Sequence, residues 1–429
     1  MITIEKQIQS SYDLLFLINP NYVIQDTHVF YDEPNFPFYS AYLDNSSENQ
    51  FSDYIISRDR VVAGALSATS KKIALLKALN ESIERFCLYC TPINQIIYKS
   101  YEEISDKAFH PYFYTNPSSK KIGWIKGMCK KPNKPVFVPA QMVFLNYYND
   151  VVPIKNPNEP ILSQSISTGA AVGQSKEEAV LRGILEIIER DAVMSNYLNK
   201  ISSPKIDLYG LRDKTLSYLL EKIKRYQFSL SVFDVTSDIP IPTFLSILID
   251  NSGIYPTLTV GSKSDLCPIS AIVGSIEESF MGRTWIRYEI QKKKNIFGKK
   301  AKMSSRLDRA LYWSDKRAID KFSYLLKNKP TIINEQRYHS FKKVRTKKNL
   351  LKIIFSLLDS LGYKSYYCDI KPIFIKTKDL FVIKVVIPGL QPLYFDEKNK
   401  NINIGRLKKV AQFFSKKRFK INEIPHPFL

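Results

Sequence analysis

Two copies of Glu-x-x-Glu-Arg, each inside an apolar helical stretch, constrain this chain more than any other feature. The first is Glu81-Ser82-Ile83-Glu84-Arg85 and the second Glu186-Ile187-Ile188-Glu189-Arg190. Residues three apart share a helix face, so each pair aims two carboxylates in one direction. The second copy lies in Ala179 to Val193, which is apolar almost all round, the mark of a buried helix. Buried carboxylates are costly unless a cation or a hydrogen-bonded network holds them. The chain accepts that cost twice, in the same way.

The surroundings of the two copies repeat as well. From about residue 61, a loop of small and hydroxyl residues leads into a glutamate-bearing helix three times. Ser67-Ala68-Thr69-Ser70 precedes a helix expected over Lys71 to Tyr89. Ser165 to Ser175, with Gly169 and Gly173, precedes one over Lys176 to Asn199. Gly261-Ser262-Lys263-Ser264-Asp265 precedes one over Ala271 to Lys294. Between them, Val136 to Val138, Leu230 to Val235, Phe244 to Ile249 and Phe381 to Ile387 are rich in β-branched and aromatic residues and read as strands. Further helices fit Leu211 to Tyr226, Arg306 to Leu326 and Asn349 to Leu361. The expectation is an α+β fold: one large mixed domain with internal pseudo-repeats over 61–429, ending in a Pro-containing tail. Residues 1–60, interrupted by Pro20, Pro34 and Pro37, read as an extended wrapping segment. Contact between the three helices would gather their carboxylates into one cavity.

Composition narrows the classes. At 44% hydrophobic, the 429 residues can bury a substantial core, and no run reaches the apolar length of a membrane span. The five cysteines, Cys87, Cys90, Cys129, Cys267 and Cys368, form no disulfide framework, so a cytoplasmic protein with reduced thiols is expected. Cys87 and Cys90 have redox or zinc spacing. They fall inside a helix and lack a second ligand pair, which makes them core residues. The net charge of +22 comes largely from local lysine runs, among them Lys292 to Lys294, Lys299 to Lys302 and the stretch from Arg406 to Lys420. Nucleic acid is not the expected partner, because no recognised module accompanies the charge.

Six carboxylates are candidates for the cavity: Glu81, Glu84, Glu178, Glu186, Glu189 and Glu278. Confined together they would raise one another's pKa values, and a hard cation removes that conflict. Mg2+ takes oxygen ligands and often arrives with phosphate oxygens, which Arg85, Arg190 and Arg283 could contact. Neither G-x-x-x-x-G-K-[ST] nor G-x-G-x-x-G is present, so the nucleotide site would be of an uncommon kind. Plainer readings exist for each group. Glu178 stands three after Ser175, as in a capping box. Glu278 beside Glu277 could be a surface pair, and the Glu-x-x-Glu-Arg copies could form a structural salt-bridge network.

At these residues the chain resembles the YcaO family of ATP-dependent enzymes that modify peptide backbones. Ala78 to Phe86 is similar to the family's first nucleotide motif. Ser167-Thr168-Gly169-Ala170-Ala171-Val172-Gly173, continuing through Glu178 to Asp191, resembles the second, and Ser275 to Arg283 the third. Trp124 to Gly127 followed by Val138-Pro139-Ala140, then Asp234 to Pro242, Val385 to Leu390 and Gly405-Arg406 also match, in the family's order. Lys77, Arg182 and Met281 depart from residues that are frequent in the family. Lys77 and Arg182 could supply phosphate contacts instead.

The resemblance implies an ATP-dependent cyclodehydratase with ATP and Mg2+ as cofactors. The six glutamates would hold the metal, and with Arg85, Arg182, Arg190 and Arg283 they would bind the nucleotide. A Cys, Ser or Thr side chain of a precursor peptide would close onto the preceding amide, forming thiazoline or oxazoline. Related branches make thioamides or amidines. Azoline-forming members often end in Pro-x-Pro-x-Pro, and this chain ends Pro425-His426-Pro427-Phe428-Leu429. His426 or the terminal carboxylate of Leu429 is therefore a candidate base. A separate partner that captures the precursor's leader is expected, with the basic faces helping to hold an acidic leader. Family members are often homodimers. The alternative from a different class is a basic scaffold without enzymatic activity.

Overall fold

The computed structural model describes all residues except 1–2, 28–29, 44–52, 58, 109–118, 130–134, 163, 293–302, 304, 342, 378, 417 and 429. The three glutamate helices form where the sequence places them. The first spans Lys71–Tyr89 and the second Lys176–Asn199. Their starts are set by serine caps: Ser70 accepts from the Ile73 N–H and Ser175 from the Glu178 N–H. The third spans Pro268–Lys292, three residues earlier than expected. Proline is favourable at a first helical position, where its missing N–H costs nothing.

These helices are held together by sheets. A six-stranded sheet runs in the order Ile97–Lys99, Ile122–Cys129, Tyr366–Asp369, Phe381–Val386 and Ala170–Gly173, with Pro135–Pro139 also paired to Ile122–Cys129. A five-stranded sheet runs Leu258–Ser264, Thr243–Asp250, Phe228–Asp234, Lys205–Ile206 and Pro330–Thr331. The first and second glutamate helices both pack on Ala170–Gly173 and Phe381–Val386. The second and third both pack on Leu258–Ser264. Gly261 permits the last approach, because a Cβ there would lie 2.2 Å from the Ser275 carbonyl oxygen. The strands thus bring the three helices around one recess.

Residues 1–60 differ from expectation. They begin with a 15-residue helix, Ile4–Ile18, capped by Thr3. Ser11, Leu14 and Leu15 occupy positions i, i+3 and i+4 and are buried, and Ser11 Oγ donates to Asn80 of the first glutamate helix at 3.0 Å. The helix stops before Pro20, so the three prolines that suggested an extended segment interrupt only the stretch beyond it. There Val23–Asp26 pairs with Phe38–Leu43, which pairs in turn with Val61–Leu66. The resulting antiparallel sheet crosses the boundary expected at residue 60. The helix expected over Arg306 to Leu326 is also broken. It divides into Arg306–Ser314, a 3-10 turn at Lys316–Phe322, and Ser323–Leu326. Asp315 is extended there and its carboxylate accepts from the Arg317 N–H, which starts a new turn.

The second glutamate helix is buried throughout from Asp191 to Asn199. Asp191 receives three bonds from Arg406, at 2.9, 3.1 and 2.6 Å, and one from the Gln391 N–H at 2.8 Å. Arg406 also donates to Tyr363 and pairs with Asp238 at 2.7 Å. This network ties the helix to the C-terminal helix Ile404–Phe413. Cys87, Cys90 and Cys368 are buried free thiols of the core. Among the described residues no helix is long and apolar enough to cross a membrane.

Candidate nucleotide and metal site

The recess between the three helices holds five of the six carboxylates. On the first helix, Glu81 accepts from the Gly64 N–H at 3.3 Å and from Arg85 Nη2 at 3.2 Å. Glu84 lies one turn on. Burial pushes its carboxyl well above the ordinary range, the negative charge of Glu186 adds to this, and Arg85 and Lys384 oppose it. Glu186, from the second helix, accepts from the Gly169 N–H at 3.0 Å. Gly169 is left-handed, with φ of 89°, and a Cβ there would meet the Val385 carbonyl at 2.5 Å, so the loop requires glycine.

The second group forms where the second and third helices flank Leu258–Ser264. Glu189 is buried and accepts from Ser262 Oγ at 2.7 Å and from the Ser264 N–H at 3.3 Å. Glu278 accepts from the Ser262 N–H at 3.3 Å. Lys263 reaches both carboxylates, at 3.8 and 3.7 Å. Burial works against the charge of Lys263, but Glu189, Glu278 and Glu186 together hold its pKa above the usual lysine value. Its side chain keeps 41% of its surface exposed although protein surrounds the amino group, as expected on the wall of an open recess. Glu186 acts on Lys384 of the first group and on Lys263 and Arg190 of the second, so the two groups are electrostatically one site.

Cations interleave with the acids. Buried Lys384 donates to the carbonyls of Ile166 at 2.7 Å and Thr168 at 2.6 Å. Burial draws its pKa down to about 8 against the pull of Glu186 and Glu84. Arg190 and Lys384 line a small cavity with Gln164, Thr168 and Gln391. The Nε atoms of Arg85 and Arg190 are buried without a hydrogen-bond partner. Among the described residues no three carboxylate, imidazole or thiol groups converge on a single point. The carboxylates are instead strung along the recess. An all-oxygen donor set, with Glu84 and Glu278 held above the ordinary carboxylate range, suits a hard cation. Orphaned guanidinium donors suit phosphate oxygens. The residues present therefore fit Mg2+ and a polyphosphate. Glu81, Glu84, Glu186, Glu189 and Glu278 would face the metal, and Arg85 and Arg190 the phosphates.

Several expected site residues lie elsewhere. Glu178 is held outside the recess by Arg182 at 2.8 Å and by Lys347 of the helix Lys347–Ser360 at 2.5 Å. Its N–H bonds to Ser175, so the capping position accounts for it. Arg182 is surface-exposed on that same pair. Arg283 is fully buried away from the acids of the recess. It donates to Glu33 at 2.8 Å, Asp250 at 2.5 Å and the Pro256 carbonyl at 2.5 Å, anchoring the N-terminal segment. Lys77 pairs with Glu277 at 2.7 Å, and Glu277 also accepts from the Ala68 N–H at 2.7 Å. Glu277 is thus a buried strut, and the reading of Glu277 and Glu278 as a surface pair fails because their side chains point to different neighbours. Met281 packs against the core.

His426 is fully buried, its Nε2–H donating to the Tyr394 carbonyl at 2.5 Å. Burial, then the positive charge of Arg309, holds its pKa well below the ordinary histidine range. In this arrangement the ring is enclosed by the protein and holds the tail to Tyr394. Leu429 lies outside the described residues. Sequence reasoning assigned no role to Lys384. It placed Lys263 in a loop without a function. Neither belongs to a periodic pattern; pairing across strands brings both to the acids.

Glu278 contributes to the pH dependence of stability. Burial, reinforced by Glu189, raises Glu278 from 4.5 to about 7, against Lys263 and Arg190. At this group the folded state binds more protons than the unfolded chain between these values, so its contribution to stability falls as pH rises through that window. Glu84 acts in the same direction and buried His426 in the opposite one. In thermal melts of the nucleotide-free protein from pH 5 to pH 7.5, the Tm of the wild type should fall relative to that of Glu278→Gln, and parallel curves would remove Glu278 as a source.

Comparison with known proteins identifies the fold. A heterocyclase solved in complex with substrate and cofactor superposes with a TM-score of 0.78 at 18% identity, covering 100% of this chain and 57% of its own. YcaO from Methanopyrus kandleri, bound with AMPPCP and Mg2+, superposes with a TM-score of 0.66 at 14% identity, covering 94% and 95%. The E. coli microcin synthetase McbBCD complex with pro-MccB17 bound gives 0.57 at 13% identity, covering 86% and 88%. These likenesses establish the fold, and the chain spans little more than half the length of the first. An uncharacterized protein of Methanothermobacter thermautotrophicus is 26% identical over 278 residues, 63% of this chain and 67% of that protein. The profile of one family, described as YcaO cyclodehydratase, ATP- and Mg2+-binding, matches residues 67–391. With three quarters of its length under that profile and the fold to match, the chain belongs to the YcaO family.

Proposed function

We propose that this protein uses ATP and Mg2+ to activate backbone amides of a ribosomally made precursor peptide, closing Cys, Ser or Thr side chains into thiazoline or oxazoline rings. The observation that carries the reading is the recess itself, in which five carboxylates alternate with Arg85, Arg190, Lys263 and Lys384 and two guanidinium nitrogens make no hydrogen bond. Its family membership and the heterocyclases that share its fold support the reaction class.

An amide oxygen is a poor leaving group. In the proposed reaction the substrate side chain adds to the preceding carbonyl carbon, and ATP phosphorylates the resulting oxygen. Phosphate then departs as the C=N bond forms and a proton is lost. Arg85 and Arg190 would hold phosphate oxygens by charge-assisted hydrogen bonds. Lys384 and Glu186 would fix the Ser167-Thr168-Gly169 loop from two sides, through the Ile166 and Thr168 carbonyls and the Gly169 N–H. Positioning of this kind supplies much of a phosphoryl-transfer enzyme's rate.

A protein that captures the precursor's leader is the proposed partner. The solved McbBCD complex, with its precursor bound, supports that arrangement. Mass spectrometry of a precursor co-expressed with this protein tests the product. Azoline formation removes about 18 Da per ring, whereas exchange of oxygen for sulfur adds about 16 Da. A precursor gaining mass would replace the heterocyclase reading with the thioamide one.

A further inference from the structure

The small cavity at Arg190 and Lys384 has walls that the nucleotide reading leaves without a role. Apart from those two cations it is bordered mainly by apolar side chains, among them Met142, Ile166, Ile187 and Leu390. The walls are braced. Met142 closes the 3-10 turn Ala140–Met142, where the Gln141 carbonyl accepts from Ser165 Oγ at 2.9 Å and Gln141 Oε1 accepts from the Leu162 N–H at 3.1 Å. At the back, Gln391 donates to the Pro392 and Asn401 carbonyls and accepts from the Asn403 N–H. Gln164 Oε1 accepts from the Phe395 N–H at 3.0 Å. Lys384 is committed to the carbonyls of Ile166 and Thr168. An occupant without polar atoms would therefore break none of these bonds.

Size and charge narrow the occupant. The cavity holds about 70 Å³. A dry cavity of about 150 Å³ accommodates benzene, so this one suits a methyl or isopropyl group and excludes a ring. Among the described residues no carboxylate lines it, and a lysine side chain there would be both desolvated and repelled by Arg190 and Lys384. Reaction geometry says which group arrives. In the proposed reaction the oxygen that is phosphorylated belongs to the residue before the ring-forming Cys, Ser or Thr. The Cβ of that residue is two bonds from the reacting carbonyl carbon and roughly 3 Å from its oxygen. The ring-forming side chain is folded back onto the carbonyl carbon and cannot reach outward. With phosphate at Arg190, the preceding side chain is the one that meets the adjoining wall.

We infer that this cavity receives the side chain of the residue immediately before the ring-forming one, and that Met142, Ile166, Ile187 and Leu390 select a small apolar residue there. The inference rests on the proposed function and adds a substrate preference to it. Capped dipeptides, acetyl-X-Cys-methylamide with X glycine, valine, phenylalanine, lysine or aspartate, test it when titrated into protein holding AMPPCP and Mg2+. The protein carries 13C-methyl methionine; Met142 is one of six methionines, and Met142→Leu identifies its signal. The valine peptide should shift the Met142 methyl signal and bind at least about tenfold more tightly than the glycine peptide, since each buried methylene is worth about fourfold. The phenylalanine and lysine peptides should bind no better than glycine. Met142→Phe should bring valine down to the glycine level, and Met142→Ala should admit phenylalanine. Equal binding of all five peptides, or an aspartate peptide that binds best, overturns the inference. So does a Met142 signal that moves with adenosine instead of the valine peptide, which would give the cavity to the base. A wild type that binds AMPPCP and Mg2+ but no dipeptide overturns this inference alone. One that binds no AMPPCP overturns the nucleotide reading as well.

Discussion

Glu186→Gln combined with Glu189→Gln should abolish the proposed ATP-dependent peptide modification, lowering kcat/KM by at least about a thousandfold while the chain stays folded. Glutamine keeps the shape of each side chain and most of its hydrogen-bonding capacity. Position 186 can still accept from the Gly169 N–H, and at position 189 the amide oxygen can accept from the Ser264 N–H while the NH2 donates to Ser262 Oγ. What disappears is charge at the point where the two carboxylate groups meet. Glu186 is the acid that acts on Lys384, Lys263, Arg85 and Arg190 at once. Without it and Glu189 the recess changes from a balanced surface to a cationic one, and a bound divalent metal would lose two of the five carboxylates proposed to face it. Substrate-stimulated phosphate release and product mass report the effect, with circular dichroism as the control for folding. Full activity in the double variant would refute the metal-site assignment.

The second large effect is on stability. Arg406→Ala should cost about 3–5 kcal/mol, a substantial part of the roughly 5–15 kcal/mol that holds a domain folded. Arg406 and Asp191 are both completely buried, and Arg406 supplies three of the four hydrogen bonds that Asp191 receives. Its removal strands the Asp191 charge in the core and also leaves Tyr363 and Asp238 to Lys409 alone. Replacing both partners by apolar residues, as in Asp191→Leu with Arg406→Met, should recover part of the loss, because no unpaired charge remains. Urea titrations of the single and double variants measure this directly. A shift below about 1 kcal/mol for Arg406→Ala would mean that water reaches Asp191.

The helices that carry the site were legible because their signals are local. Serine caps at Ser70 and Ser175 start the first two where expected, and 3.6-residue periodicity carries them to Tyr89 and Asn199. Glu81, Glu84, Glu186 and Glu189 could be named for the same reason, since a three-residue spacing fixes a shared face whatever the helix packs against. Glu178 satisfies a similar spacing and is still outside the recess. Lys347, 169 positions away in sequence, draws it off, and nothing local encodes that contact. Arg283 follows the third motif faithfully and yet turns to Glu33 and Asp250. Periodicity says which residues share a face; it does not say which face meets which neighbour.

Local signals in the chain were enough to specify the elements: three helices, their paired acids, strands between them and the core positions of Cys87 and Cys90. These depend on dihedral preferences and hydrophobic period, which act over a few residues. Three-dimensional packing was needed to settle that strands, rather than direct helix contacts, draw the acids together. It also set Lys263 and Lys384 among those acids and seated the C-terminal tail on Arg309 and Trp313. Those outcomes depend on register across sheets and on the electrostatic balance of groups hundreds of residues apart. A buried charge takes whatever partner the completed fold places beside it.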